Sequence, residues 1–302
     1  MKSNGQTLKN IFYYLTPALI WGSTWLVIKF QLGVVDPMVS VVYRFAAAGI
    51  ILGLFCLLRR LPLKFTLKDH LFMAAQGLLL FGVNYWMVYF SEQYLTSGLV
   101  ALMFSTIAFL NIFYERLFLK VPMQTSMLTG AFIGFTGVAL VFRPEIAALT
   151  LSNKIIVGIL IAFIAANLAS LGNITSAHNQ KNRLPVIQTN AFAMSYGAAS
   201  MLLVALITRT PFALDTSTAY MISLSYLAVF GSIIAFGAYL TLIGRIGAGK
   251  AAYVALVIPV IALIFSTIFE GFRWSVYSFA GLGLILIGNL LVILTRQKKI
   301  KS

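Results

Sequence analysis

Arg44 is the residue of this sequence with the clearest capacity for chemistry, because it stands seven residues into an apolar run that begins at Pro37. A planar guanidinium makes paired hydrogen bonds with a carboxylate, which a lysine ammonium does not. On a helix, its depth of about 10 Å favours contact with an anionic ligand or cavity water. The alternative is that the long side chain extends back to the membrane surface.

Amide and tyrosine side chains recur in a second apolar run. Asn84 and Tyr85 are adjacent there, and Tyr89 lies four residues after Tyr85, hence on the same helical face. Aromatic rings cover apolar surface while polar tips select orientation, so this pattern predicts a wall of a binding site for a small amphipathic ligand. Tyr89 fits an interfacial anchor equally well.

Other apolar runs hold further candidates. Trp21 precedes Gly22-Ser23-Thr24, where close helix packing is the alternative. Asn167, Ser170 and Asn173 recur at intervals of three, and interhelical hydrogen bonds explain them almost as well as a cavity does. The remaining predicted substrate-binding residues are Ser105, Asn111, Tyr196, Tyr239 and Tyr253. For the tyrosines, packing or interfacial anchoring is the alternative.

Membrane-spanning helices are the elements that must position these residues. The 302 residues are 60% hydrophobic and 10% charged, with a mean hydropathy of +0.94, which excludes a soluble domain with a polar surface. A bilayer core of about 30 Å needs roughly 20 apolar residues per helix. Ten such windows occur, at 11–30, 37–58, 70–90, 96–114, 125–142, 155–176, 186–208, 219–243, 250–269 and 275–295. We predict an all-α integral protein of the cell inner (plasma) membrane with ten transmembrane helices.

The charged residues indicate the orientation of these helices, because cytoplasmic loops collect Lys and Arg. With the N-terminus inside, sixteen of the 22 basic residues fall in inner segments and five of the seven acidic residues fall in outer ones. Both termini are therefore predicted to be cytoplasmic. The formal charge of +15 is explained by these loops and not by nucleic-acid binding.

An internal repeat divides the chain in two. An offset of 151 residues sets Gly98 on Gly249, Gly130 on Gly281 and Gly137 on Gly288, although chance alignment of glycine-rich helices is an alternative. Residues 1–150 and 151–302 then hold five helices each, and the odd number inverts the second repeat relative to the first. Inverted repeats are typical of secondary transporters, whose site lies near mid-membrane between the halves.

Short motifs occur in order along both halves. The first half has Trp21-Gly22-Ser23, Arg44-Phe45 and Ser97-Gly98-Leu99-Val100-Ala101-Leu102; the second has Ala251-Ala252-Tyr253, Val257-Ile258-Pro259-Val260, Glu270-Gly271 and the glycine-rich run 281–288. This order, over nearly the whole chain, resembles the EamA-type members of the drug/metabolite transporter superfamily. Ala108 replaces the proline that such proteins often carry in the fourth helix, so we expect that helix to be straighter than the ninth.

The resemblance implies a carrier of small metabolites whose cavity is formed by the first four helices of each half. It further implies export or exchange of amino acids or related compounds, which alternating access of the repeats would perform. The alternative is a proton-coupled multidrug or metabolite antiporter, for which Glu115 is the best acid. Because Arg116 follows it, an interfacial ion pair is another interpretation of Glu115.

An intramembrane enzyme is a hypothesis of a different class. It needs a nucleophile or metal constellation within the helices, yet the sequence has no His-Glu-x-x-His, Gly-x-Ser-x-Gly or paired deep aspartates. We predict no enzymatic activity, no metal and no cofactor. The predicted partners are a small-molecule substrate, carboxylated if Arg44 reads it, and the lipid bilayer, but no nucleic acid.

Overall fold

The chain is helical, without strands, in the residues that the structure, a computed structural model, describes: 2–147, 153–269 and 274–294. The apolar helices are α1 (Lys2–Lys29), α2 (Pro37–Leu58), α3 (Leu67–Ser91), α4 (Ser97–Ser105 and Ile107–Leu119), α5 (Thr125–Val141), α6 (Asn153–Lys181), α7 (Val186–Ile207), α8 (Thr218–Ile246), α9 (Ala248–Ala251 and Val254–Phe269) and α10 (Val276–Leu294). A short helix, Arg143–Ala147, follows α5. Among the described residues, eight helices are long and apolar enough to cross a membrane, while α5 and α10 supply shorter apolar stretches. Ten crossings and cytoplasmic termini stay predictions.

Local sequence explains where helices begin. Pro37 occupies the first turn of α2, and the Asp36 carboxylate accepts a hydrogen bond from the Met38 N–H at 2.8 Å. At the start of α3, Thr66 and Asp69 form a reciprocal capping box. These side chains satisfy N–H groups that have no partner within the helix and so fix the first turn.

Two helices contain π-helical segments at related positions. Gly77–Gly82 lies within α3 and Leu227–Ile234 within α8. The offset of 151 residues that aligns the glycines of the two halves also moves the first segment onto residues 228–233. A π segment changes which backbone carbonyls are available for contacts, and such segments frequently occur at functional sites.

The expectation that the fourth helix is straighter than the ninth stays a prediction, because both helices are interrupted, α4 at Thr106 and α9 at residues 252–253. Helix α4 is interrupted at Thr106, although Ala108 stands where a proline was expected. The hydroxyl groups of Ser105 and Thr106 donate to the carbonyl oxygens of Leu102 and Met103, both at 2.6 Å. Hydroxyl groups bonded back to the preceding turn bend helices, so proline is not needed here. In α9, Pro259 lies within Val254–Phe269; Glu270 and Gly271 lie outside the described residues.

Close approach of backbones joins the two halves. Helix α5 packs chiefly against α10, and α2 against α7. A Cβ atom added to Gly288 would lie 2.5 Å from the carbonyl oxygen of Gly130, and one added to Gly281 would lie 2.6 Å from that of Gly137. Glycine at these positions lets the helices pack through their backbones, as small residues commonly do in membranes.

Candidate functional site

A cavity of about 740 Å³, counting the space at its mouth, lies among six helices. Helices α1, α3 and α4 line it from the first half, and α6, α8 and α9 from the second. Its aromatic lining residues are Trp21, Trp25, Tyr85, Phe104, Phe236 and Tyr239, and its polar ones are Thr24, Asn84 and Asn173. Among the described residues no charged side chain lines it. The cavity therefore suits a mostly apolar ligand with few polar groups.

Trp21 is held by the second half of the chain. Its ring packs edge-to-face on Phe236 and Tyr239, with centroids 4.8 and 5.1 Å away. Its indole N–H donates to the carbonyl oxygen of Gly231 at 3.0 Å, within the π segment of α8. The π segment thus helps to orient one wall of the cavity.

A hydrogen-bond network fixes the amide of Asn173. The Asn111 Nδ2 donates to the Ala248 carbonyl at 3.1 Å, while its Oδ1 accepts from the Ser170 hydroxyl at 2.6 Å. The Asn173 Nδ2 donates to that same Oδ1 at 3.5 Å and to the Tyr239 hydroxyl at 3.3 Å. This assignment leaves the buried Oδ1 of Asn173 as an acceptor without a partner.

Trp25 supplies a complementary donor. Its ring packs edge-to-face on Phe104 with a centroid separation of 5.6 Å, and its buried Nε1 has no hydrogen-bond partner. Burial of an unsatisfied polar atom costs about 1–3 kcal/mol. Trp25 and Asn173 are thus two lining residues that each hold a buried polar atom without a hydrogen-bond partner.

Arg44 does not line the cavity. Its fully buried guanidinium has Cζ 4.5 Å from the ring centroid of Tyr85, which does line it, and 5.2 Å from that of Phe45. The Nε donates to the Ser232 hydroxyl at 2.9 Å, and Nη1 donates to the Tyr89 hydroxyl at 3.4 Å. Arg44 thus joins α2 to α8 and acts on the cavity across the Tyr85 ring.

Five of the twelve predicted residues line the cavity, namely Trp21, Asn84, Tyr85, Asn173 and Tyr239. The seven placed elsewhere are Arg44, Tyr89, Ser105, Asn111, Asn167, Tyr196 and Tyr253. Asn84 also donates to the Ala165 carbonyl at 2.5 Å, so its amide ties α3 to α6. Asn111 bonds the lining residue Asn173, and Tyr89 bonds Arg44, but neither of the two lines the cavity itself.

Three of the other predicted residues have partners away from the cavity. Tyr196 in α7 shares a hydrogen bond of 2.9 Å with Nδ1 of His70 in α3. The Tyr253 hydroxyl donates to the Met127 carbonyl, and the half-buried Asn167 accepts from the Tyr114 hydroxyl at 2.9 Å. Their contacts are those of interhelical packing, the alternative that the sequence left open.

Glu115 connects the two halves at the end of α4. Its Oε1 accepts from the Ala248 N–H at 3.0 Å, and its Oε2 accepts from the Gly249 N–H at 2.9 Å. Both carboxylate oxygens therefore bind the start of α9. Asn111 lies one helical turn before Glu115 and bonds the same Ala248, so this contact adjoins the Asn173 network.

Sequence reasoning missed several lining residues. Trp25 lies four residues after Trp21, and that spacing alone places both on one face of α1. Thr24 was passed over as part of a small-residue stretch. No signal distinguished Phe104 and Phe236 from the other 22 phenylalanines of the chain.

Known proteins similar to this chain match it over most of its length. The model of the "EamA-like transporter family" matches residues 8–143 and 156–294. The "Uncharacterized inner membrane transporter YedA" of Escherichia coli K12 is 31% identical over 284 residues, which are 91% of this chain and 88% of that protein. The "Protein PagO" of Salmonella typhimurium is 23% identical over 289 residues, which are 96% of this chain and 94% of that protein.

A solved structure described as "Crystal structure of protein" has the same fold. It matches with a TM-score of 0.78 over 96% of this chain and 99% of that chain. Because the sequence identity is 15%, the similarity concerns the fold alone.

Proposed function

Because this chain belongs to the EamA-like transporter family, we propose that it is a secondary transporter that exports or exchanges small metabolites by alternating access. It is a multi-pass protein of the inner membrane. Amino acids or related compounds are the proposed cargo.

The observation that carries the proposal is the arrangement of the helices that line the cavity. Each lining helix of the first half has a counterpart in the second, since the 151-residue offset relates α1 to α6, α3 to α8 and α4 to α9. A site between two repeats is where secondary transporters expose cargo alternately to the two sides of the membrane. The related π segments in α3 and α8 support the same proposal.

Two polar atoms and one charge support an amino-acid-like cargo. The Trp25 N–H is a donor suited to a carboxylate, and the Asn173 Oδ1 is an acceptor suited to an ammonium group. The positive charge of Arg44 lies just beyond the Tyr85 ring and favours a carboxylate on the cavity side. The aromatic rings would then contact the apolar part of the cargo.

Counterflow in vesicles containing the purified protein tests the function. Preloading with unlabelled cargo from a panel of amino acids and related metabolites is expected to accelerate uptake of the labelled compound. Trp25→Phe keeps an aromatic side chain, although a smaller one, but removes the N–H donor, and loss of about 1 kcal/mol predicts an apparent KM about fivefold higher. Trp86→Phe, in the same apolar region but outside the lining, is the matched control and is expected to match the wild type. Absence of accelerated exchange throughout the panel contradicts a carrier of these compounds.

A further inference from the structure

A buried polar cluster lies one turn beyond the cavity at the end of α3. We call it the Glu92 cluster, and it consists of Gln31, Arg44, Tyr89, Glu92 and Ser232. The Tyr89 hydroxyl donates to the Gln31 Oε1 at 2.7 Å and accepts from Arg44, which also bonds Ser232 in α8. The cluster therefore links the C-terminal ends of α1 and α3, through Arg44 of α2, to Ser232 in the second half of the chain.

Glu92 is the member of this cluster whose polar side-chain atoms all lack a hydrogen-bond partner. It is 9% exposed, and neither carboxylate oxygen has a hydrogen-bond partner. Glu115, by contrast, accepts two backbone N–H bonds. Hydrogen bonds to the ionised form favour the carboxylate, and burial without them favours the neutral acid. Glu92, which is buried without such hydrogen bonds, is therefore the better suited of the two to binding a proton.

The charges around Glu92 come from the neighbouring helices. Lys29 at the end of α1 and Arg44 in α2 act on it as cations, and Tyr89 lies on its own helix. From α6, which also packs against α3, Lys154 is exposed at the first turn. Glu92 follows Ser91, the last residue of its candidate membrane helix. Burial raises the pKa of the Glu92 carboxyl to about 8 despite the opposing effect of the two cations.

We propose that Glu92 is a proton-binding site that must be occupied before the first half closes against the second at this end of the cavity. Opening admits water, the O–H bond of the acid breaks, the electron pair stays on the carboxylate and the proton passes to water. Closing returns the side chain to its buried position only after a proton from water has bound. This proposal rests on the transport function proposed above and adds control by pH.

The Glu92 cluster adjoins both the cavity and the second half of the chain, so protonation there can affect transport. Val88 lines the cavity and lies one helical turn before Glu92 on α3. Arg44 reaches Ser232 in the π segment that also accepts the Trp21 N–H. An ionised carboxylate at this position would favour hydration and keep the two halves of the chain apart at this end of the cavity.

Counterflow at equal pH on both faces of the vesicle tests the proposal without reference to protein orientation. Between about pH 7 and pH 9, an acid with a pKa near 8 goes from about nine-tenths to about one-tenth protonated. Wild-type exchange is therefore expected to fall about tenfold over this range. Glu92→Gln, which stays neutral, is expected to vary by less than about twofold. Asp215→Asn removes another loop carboxylate while keeping an acceptor for the Ser217 N–H, and is expected to follow the wild type.

Two results overturn the proposal: a flat wild-type profile, or a tenfold fall that persists in Glu92→Gln. If Glu92→Gln does not transport, thermal unfolding of the purified protein decides. Because the folded protein holds this proton up to about pH 8 and the unfolded chain only to about pH 4.5, the midpoint is expected to fall between about pH 5 and pH 8 more steeply in the wild type than in Glu92→Gln. Equal slopes over this range contradict proton binding by Glu92. Absence of wild-type counterflow at every pH would instead refute the transport function, and the unfolding comparison would still test the proton site.

Discussion

The guanidinium of Arg44 lies between aromatic rings and hydroxyl groups from two halves of the chain. It is fully buried, so in this conformation it does not extend back to the membrane surface, the alternative that its sequence position left open. Its Nη2 has no hydrogen-bond partner, and a Cβ atom on Gly231 would lie 3.1 Å from that nitrogen. Arg44 thus combines interhelical contacts with an electrostatic effect on the cavity.

Replacement of Arg44 separates these contributions. We expect Arg44→Lys to weaken transport of a carboxylated cargo, because lysine keeps the charge but not the planar guanidinium that packs on Tyr85 and bonds Ser232 and Tyr89. Arg44→Gln removes the charge that favours a carboxylate beyond the Tyr85 ring, and transport of the acid is expected to fall about tenfold or more. Counterflow of the acid and of its uncharged amide measures the effect, which should be larger for the acid.

Arg59→Gln, at the exposed end of the same helix, is the control and is expected to leave both rates unchanged. Unfolding curves verify that each variant is folded. Wild-type kinetics in a folded Arg44→Gln protein would mean that the cargo's charge is recognised elsewhere.

At the scale of elements, the crossing of α5 and α10 depends on bare backbone. Gly130 and Gly288 approach each other reciprocally, since a Cβ on either would lie within 2.8 Å of the other's carbonyl oxygen. The offset of 151 residues moves Gly130 onto Gly281 and Gly137 onto Gly288, and Gly137 and Gly281 approach each other in the same way. Side chains that separate these helices should therefore cost stability.

Gly288→Ala is expected to lower the free energy of unfolding by about 1–3 kcal/mol, because the added methyl meets backbone atoms that cannot yield without moving a helix. Gly283→Ala lies in the same helix with open space around its Cβ and is the control. It should be neutral or stabilising by up to about 1 kcal/mol. Denaturation of the purified variants in detergent measures both, and equal stabilities would show that the crossing adjusts freely.

At the scale of the whole molecule, the charged loops predict how the chain is oriented in the membrane. Residues Asn182 and Thr216 are both exposed and lie at opposite ends of α7. One helix therefore separates two accessible positions that the predicted topology assigns to opposite faces of the membrane.

A cysteine at Thr216 is expected to react with an impermeant thiol reagent in intact cells, whereas one at Asn182 is not. Replacing the buried Cys56 with alanine removes the native thiol from both variants. Reaction of Asn182→Cys after membrane disruption is the control for its reactivity. The reverse pattern in intact cells would invert the topology, and labelling of both sites would revise the helix count.

The sequence alone predicted the helical class, the approximate helix positions and the family. Helices form hydrogen bonds locally, and a bilayer requires every backbone group to be paired, so runs of apolar residues are enough to locate them. Asp36 with Pro37, and Thr66 with Asp69, encode helix starts within a few residues. The 151-residue offset is visible in the sequence itself because related residues repeat along the chain.

The tertiary structure decided which polar residues line the cavity. Asn167 and Asn173 lie on the same helix, yet only Asn173 lines it, and Tyr196 bonds His70 instead. Hydropathy does not separate these cases, because lipid and protein interior are both apolar and every side of such a helix is apolar. Glu92 stands at the end of an apolar run, and neighbouring helices bury its carboxylate. Only the packing of separate helices, which no local pattern encodes, determines that burial.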